Sequence, residues 1–261
     1  MGKPPLSAVS GDEVPDPSSG WLRRIGRNAA EDLISDGHEL VLHARNDRRA
    51  DALDDLAAKG AHVVVGDLAR MDDVRAVAEG VNRLGRMDAV IHNAGVDQGA
   101  SLLPVNVVAP YVLTALIERP ARLVYLSSGM HRGGRPDLTD VDWSGARRTP
   151  SYSDSKLLVT ALALFIARTW PDVFTNTVDP GWVPTRMGGA AASDDLRLGH
   201  VTQAWLAGSN DLEAHVTGRY WFHQARQQPA PATQRTLSPF IHVSRSLDRV
   251  VVRCTDVLAG M

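Results

Sequence analysis

Tyr152 and Lys156 stand four residues apart in the run "SYSDSKLLVTALALFIAR". On a helix this spacing puts both side chains on one face, a turn apart. An ammonium beside a phenol favours the phenolate. The unperturbed phenol titrates near ~10, and bringing it to ~7 takes about 4 kcal/mol of differential stabilisation. A buried neighbouring cation is one source of it. Such a tyrosine gives a proton to an alcohol oxygen or takes one from it. The same spacing also describes an ordinary surface helix pair, so the surroundings decide.

Upstream, "LVYLSS" ends in Ser127-Ser128, "IHNAG" contains Asn93, Ala94 and Gly95, and "LLPVNVVAPYVLTAL" contains Asn106; downstream comes "TVDPGWVPTRM". A serine hydroxyl at a strand end can hold the same substrate oxygen as the phenol.

These groups need a scaffold. "RNAAEDLISDG" places Ala29, Ala30, Leu33 and Ile34 on one helical face, and Gly37 stops it. "HELVLHARN" is a short buried strand, "DRRADALDDLAAKG" an amphipathic helix, "AHVVVGD" a strand, "MDDVRAVAEGVNRLG" a helix and "MDAVIHNAG" a strand. "ARLVYLSS" and "DVFTNTVDPG" add two strands, preceded by helical stretches around 101–118 and 151–170. Short apolar runs alternating with amphipathic helices predict an α/β fold, a doubly wound parallel sheet in three α/β/α layers. Ligands of such sheets bind beyond the C-terminal strand ends. Here those ends carry Arg45-Asn46, Asp67-Leu68, Asn93-Ala94-Gly95, Ser127-Ser128 and Pro180-Gly181.

The 261 residues suit one α/β domain or two small ones, and the formal charge of −2 gives no general attraction to nucleic acid or anionic membrane. The single cysteine, Cys254, excludes an internal disulfide and fits a reducing compartment. No apolar run approaches the ~20 residues of a membrane span. The N-terminus lacks the apolar core of a signal peptide, so a cytoplasmic location is expected. The nine histidines form no H-E-x-x-H and no closed zinc spacing, so no metal is expected. His43, His62 and His92 read as core or strand-end residues, and Trp182 and Trp205 as core residues or edges of a pocket. "ARNDRRAD" is too short and mixed for a nucleic-acid patch. Residues 1–18 read as irregular, 19–224 as the domain and 225–261 as a tail; "ARQQPAPATQRT" resembles linker and 131–150 a long loop.

Taken in order, these motifs resemble those of the short-chain dehydrogenase/reductase superfamily, over roughly residues 19–224. The resemblance implies a Rossmann-like fold, a nicotinamide nucleotide and a small-molecule alcohol or carbonyl substrate. It implies Tyr152 as general acid/base and Lys156 as the group that lowers its pKa and binds the nicotinamide ribose. Ser128 would orient the reacting oxygen, and Asn106 would complete a proton relay through water. Asn93, Ala94 and Gly95 would line the adenosine-ribose side, and Asp67 and Leu68 the adenine. Pro180, Gly181, Val183 and Thr185 would cover the nicotinamide amide and pyrophosphate, with residues 186–199 as a flexible lid. The 24 positions from Ser128 to Tyr152 are similar to the retinol dehydrogenase and WW-domain oxidoreductase subgroup. There a loop borders the pocket, which suggests a bulky, apolar substrate. A homo-oligomer through the helices around 101–118 and 151–170 is also implied; "LLVTALALFIA" suits such an interface or a plain core.

Cofactor choice has a physical handle. Sites for NAD(H) place an acid at the end of the second strand to bind the ribose 2′-hydroxyl. Arg45 stands there with Asn46, and a guanidinium pairs with a 2′-phosphate, so NADP(H) is favoured. The glycine loop, Thr-Gly-x-x-x-Gly-x-Gly in the superfamily, aligns with Ser19, Gly20, Arg24 and Gly26, with Ile25 in its apolar slot. Arg24 replaces the glycine that lets backbone approach pyrophosphate, and Trp21 and Leu22 replace small residues. Upstream, "GDEVPDPS" has two prolines where a central strand is needed, so the first strand is expected to be atypical or missing. Three explanations stand: an enzyme with an unusual N-terminus, a degenerate non-catalytic Rossmann-fold homologue, or a wrong start or shifted frame. A nucleoside-sugar epimerase on this fold fits the short C-terminal region less well.

Overall fold

The computed structural model describes residues 6–9 (backbone), 25–135, 142–144, 150–185, 187–234 and 236. Its strands are β1 (Leu6–Val9), β2 (Leu40–Ala44), β3 (His62–Val65), β4 (Ala89–His92), β5 (Arg122–Leu126), β6 (Phe174–Asp179), β7 (Arg219–Phe222) and β8 (Ala225–Gln227). They form one sheet in the order β3-β2-β1-β4-β5-β6-β7-β8, parallel except for the last pair. The main helices are α1 (Ile25–Ser35), α2 (Asp47–Asp51), α3 (Asp54–Ala57), α4 (Met71–Arg83), α5 (Ala109–Leu116), α6 (Tyr152–Thr169) and α7 (Val201–Gly208).

Successive strand residues point to opposite faces. Val41, Val90, Leu123 and Tyr125 enter a core with α4, α5 and α6, while Leu40, Leu42, Ala89, Ile91, Val124 and Leu126 enter one with α1 and α7. Both faces are covered, which is why these strands read as continuous apolar runs. The strand order reverses between β1 and β4, so the crevice beyond their C-terminal ends is the place for a ligand.

The first strand is atypical rather than missing. Leu6–Val9 sits at the centre of the sheet, pairing Ser7 with Val41 on one side and Val90 on the other. It lies inside the segment expected to be irregular; at four residues it is too short to stand out. The prolines of "GDEVPDPS" lie beyond it, outside the described residues. The helix expected over "DRRADALDDLAAKG" is broken into α2 and α3, with Leu53 as the N-cap of the second.

The fold also runs past residue 224, which falls in the β7–β8 turn. His223 and Gln224 there have φ of 46° and 60°, the left-handed pair that a two-residue hairpin turn demands. "ARQQPAPATQRT" is therefore more than linker. Ala225–Gln227 is β8, and Ala230, Ala232, Thr233 and Thr236 are buried. Most of "LLVTALALFIA" is buried within the single chain, as core. Among the described residues, no helix is long and apolar enough to cross a membrane.

Candidate active site

α6 starts abruptly because Ser151 and Asp154 form a capping box. The Ser151 hydroxyl accepts from the Asp154 amide at 3.1 Å, and the Asp154 carboxylate accepts from the Ser151 amide at 2.9 Å. Asp154 also accepts from the Arg135 amide at 2.7 Å, which ties the preceding loop to the same turn. Tyr152 is thereby the first helical residue and Lys156 lies one turn on, against the ends of β5 and β6.

Lys156 is buried and donates from Nζ to the Leu126 carbonyl at 2.9 Å. In return the Ser127 hydroxyl reaches the Lys156 carbonyl at 3.3 Å and Thr160 Oγ1 at 2.6 Å, locking α6 onto β5. Ser128 caps the short turn Gly129–Gly133, accepting from the Met130 amide, and its hydroxyl acts on the Tyr152 phenol so as to favour the phenolate. The lysine Nζ is 5.5 Å from the Tyr152 ring centroid. Gly95 closes the group from β4: a Cβ there would meet Asn106 Oδ1 and Lys156 Nζ, each at 3.5 Å. Asn106 lies in a π-helical turn, a feature common at functional sites, and bonds Val96 N, Val96 O and Ser155 Oγ. Its side chain is a strut between the β4 loop and α6.

The electrostatics differ from the expected lowering of the phenol. Burial pushes Tyr152 up to about 12; Ser128 opposes this, and Asp179 and Asp97 add to it. Lys156 does not offset burial here, because its ammonium faces the ring and the Leu126 carbonyl. Burial brings Lys156 itself down to about 8, with Asp179 pulling the other way.

Comparison with known proteins bears on what such a group is for. The chain is 33% identical over 252 residues to the short-chain dehydrogenase chyC of Penicillium rubens, covering 91% of this chain and 94% of that one. It is 37% identical over 212 residues to the uncharacterized oxidoreductase AN7799 of Emericella nidulans, covering 76% and 81%. The chain belongs to the short-chain dehydrogenase/reductase family. Residues 20–112 match the family described as Enoyl-(Acyl carrier protein) reductase. Among solved structures, the blue fluorescent protein from a metagenomic library in complex with NADPH aligns with a TM-score of 0.64 and 21% identity, over 83% of this chain and 95% of that one. This last likeness shows the shared fold. The family acts on alcohol and carbonyl groups with a nicotinamide cofactor, so the protein is an oxidoreductase of that class.

The remaining positions carried over from the family fall in two places. At the β1/β4 crevice, Gly26 is buried at the start of α1, and Gln203 Nε2 from α7 lies 3.4 Å from the Ile25 carbonyl and 3.3 Å from Asn93 Oδ1. Arg45 follows β2 directly. Asn46 accepts from the Arg49 amide as the cap of α2, and Asp67 accepts from the Ala69 amide, so both side chains shape the turns after their strands. Leu68 is buried in the core with Ala94 packed nearby. Gly20 and Arg24 lie outside the described residues. Since β1 ends at Val9, residues 10–18 separate it from the loop aligned on Ser19.

At the other end, Gly181 has φ of +83° and a Cβ there would run into Asp194 and His223. Val183 is buried, and the Thr185 hydroxyl accepts from the Gly188 amide. Trp182 donates from Nε1 to the Gly188 carbonyl at 2.9 Å, and its amide donates to Asp194 at 2.7 Å. Gly188 and Asp194, in the segment expected to be a flexible lid, are thus bonded to Trp182 and Thr185 just before it. Trp182 is exposed, whereas Trp205 packs edge-on against Trp221.

Three residues not singled out in the sequence complete the site. Asp179 ends β6, Tyr220 lies in β7, and His131 sits fully buried in the turn after Ser128. His131 Nδ1 donates to the Ser128 carbonyl at 2.8 Å while Nε2 accepts from the Ala230 amide at 2.9 Å, pinning the C-terminal segment to the Ser128 turn. A polar residue directly before "PG" was the one available signal for Asp179.

Proposed function

We propose that the protein is an NADP(H)-dependent oxidoreductase that interconverts a carbonyl and an alcohol, with Tyr152 as general acid/base. The observation that carries this is the convergence of Tyr152, Ser128 and Lys156 at the strand ends beside the β1/β4 crevice. When bound, the nucleotide supplies or accepts the hydride, and its positively charged oxidised ring helps lower the phenol's pKa. Ser128 holds the reacting oxygen. Tyr152, protonated near neutral pH, has the proton that a carbonyl oxygen would receive. Lys156 holds the nicotinamide ribose, and Asn106 keeps the β4 loop against α6 so that a water relay can form. Pro180, Gly181, Val183 and Thr185 frame the nicotinamide side.

The crevice fits a nucleotide. Among the described residues, Asn28 Oδ1 and Gln203 Oε1 are buried there without a hydrogen-bond partner, beside the first turn of α1 and Asn93. Arg45 at the end of β2 favours a 2′-phosphate. The likeness to an NADPH-bound structure agrees with that choice. Met130 and Trp182, each two residues past Ser128 and Pro180, expose apolar surface, which suits a bulky apolar substrate. A cytoplasmic homo-oligomer completes the proposal.

Turnover is tested by following nicotinamide absorbance with a panel of aromatic and aliphatic aldehydes and ketones; no oxidation of NADPH by any of them would count against it. Arg45→Asp tests the cofactor choice. A charge-assisted contact is worth about 1.5–3 kcal/mol, so KM for NADPH should rise roughly ten- to hundredfold. KM for NADH should hold or fall. Equal effects on both cofactors would contradict the assignment.

A further inference from the structure

Under the reacting groups lies a carboxylate that the mechanism above does not use. Asp179 is 8% exposed. Its Oδ1 accepts from the Gly181 amide at 3.0 Å and its Oδ2 from the Tyr220 hydroxyl at 3.1 Å. Gly129 leaves room for it: a Cβ there would come within 3.1 Å of Oδ2. β6 and β5 end side by side, with Leu126 opposite Val178 and the Ser127 amide on the Val178 carbonyl at 2.7 Å. Leu126 is the residue whose carbonyl holds Lys156 Nζ. The lysine is thus fixed to one strand end and the carboxylate stands at the next.

We propose that Asp179 is a positioning residue of this site. Its buried carboxylate, held by Tyr220 and Gly181, is the counter-ion that keeps Lys156 an ammonium beside Tyr152. The proposal rests on the reading of Tyr152 and Lys156 given above. A buried ammonium without a counter-charge gives up its proton, because desolvation penalises the charged form. Asp179 is the charge that opposes desolvation of Lys156, and it acts on Tyr152 in the same direction.

The other groups around the carboxylate do not replace it. From the β5 turn come Ser127, which acts on Tyr220 against burial, and His131, whose pKa burial lowers and whose ring lies 4.7 Å from the Tyr220 ring. Arg132 acts on Tyr220 and His131. Beyond β4, Asp97 acts on Tyr152, and beyond β6, Asp194 and His223 approach Gly181. Tyr220, its phenol pushed far up by burial and by Asp179, stays a hydrogen-bond donor.

The sign is the same for both reacting groups. Removing the negative charge lowers the pKa of Lys156 and of Tyr152. Carbonyl reduction needs both protonated, so its alkaline limb should move to lower pH. The chain has three lysines, Lys3, Lys59 and Lys156, which makes a direct measurement simple. In protein labelled with ¹³C-lysine, the Cε shifts are followed against pH, with Lys156→Met assigning the signal. In Asp179→Asn the Lys156 midpoint should fall by about one unit or more. Asp179→Glu should restore most of it, and Tyr220→Phe, which keeps the charge, should leave it nearly in place. Asp179→Ser serves if the amide is not tolerated, and thermal unfolding confirms that each variant folds. An unmoved Lys156 midpoint in a folded Asp179→Asn or Asp179→Ser protein overturns the proposal. Failure of the underlying reading shows separately, as full turnover by a Tyr152→Phe protein.

Discussion

Replacing Tyr152 by phenylalanine should lower kcat by about a thousandfold or more, with little change in the affinity for NADPH. The substitution removes one oxygen and keeps the ring in its place against Lys156. Burial keeps the phenol protonated, and Ser128 acts on it from the end of β5, where a carbonyl oxygen would receive the proton. Without that proton the developing alkoxide faces only the Ser128 hydroxyl. The lost interaction forms in the transition state, so kcat and kcat/KM should fall together. The check is steady-state kinetics alongside a fluorescence titration with NADPH. A fall in affinity with unchanged kcat would assign Tyr152 to binding alone.

Replacing Lys156 by methionine should separate activity from stability. Activity should drop roughly a hundredfold or more if, as proposed, the ammonium holds the nicotinamide ribose beside the phenol. Stability should stay level or rise, because replacing a buried charge by a well-packed apolar chain is often neutral or favourable. The pH dependence supplies the sign. The folded pKa of Lys156, about 8, lies below its ordinary 10.5. Between those values the unfolded chain binds more protons than the folded one, so wild-type stability gains as pH rises through the window. The methionine variant should lose that gain. Urea unfolding at several pH values measures both effects. Cooperative unfolding that is weaker at neutral pH would show instead that the Nζ bond to Leu126 holds the fold together.

The proposed acid/base group was legible in the sequence because its features are local. Tyr152 and Lys156 share a helix, and Ser128 and Gly95 sit at strand ends bounded by turn residues. The parallel core was legible because β2, β4 and β5 are covered on both faces and so are apolar throughout. β1 was hidden by its length of four residues and by the Pro-bearing stretch that follows it. β7 and β8 were hidden because His223-Gln224 does not look like a hairpin turn, although both residues adopt the required conformation. The upward shift of Tyr152 in the chain without nucleotide was not legible, for a physical reason. Spacing gives the distance between phenol and ammonium, but desolvation depends on everything packed around them. Asp179 escaped notice for a similar reason: a carboxylate before "PG" reads as a turn residue until Tyr220, distant in sequence, is seen to close over it.

Activity depends on whether this chain still takes up its cofactor, given Arg24 in the glycine loop. The most direct test is to titrate the purified protein with NADPH and watch nicotinamide fluorescence. Saturable binding with a Kd on the order of micromolar, weakened by Arg45→Asp, is the result expected of a working reductase. No binding at millimolar NADPH would contradict the account and leave a non-catalytic Rossmann-fold protein in its place.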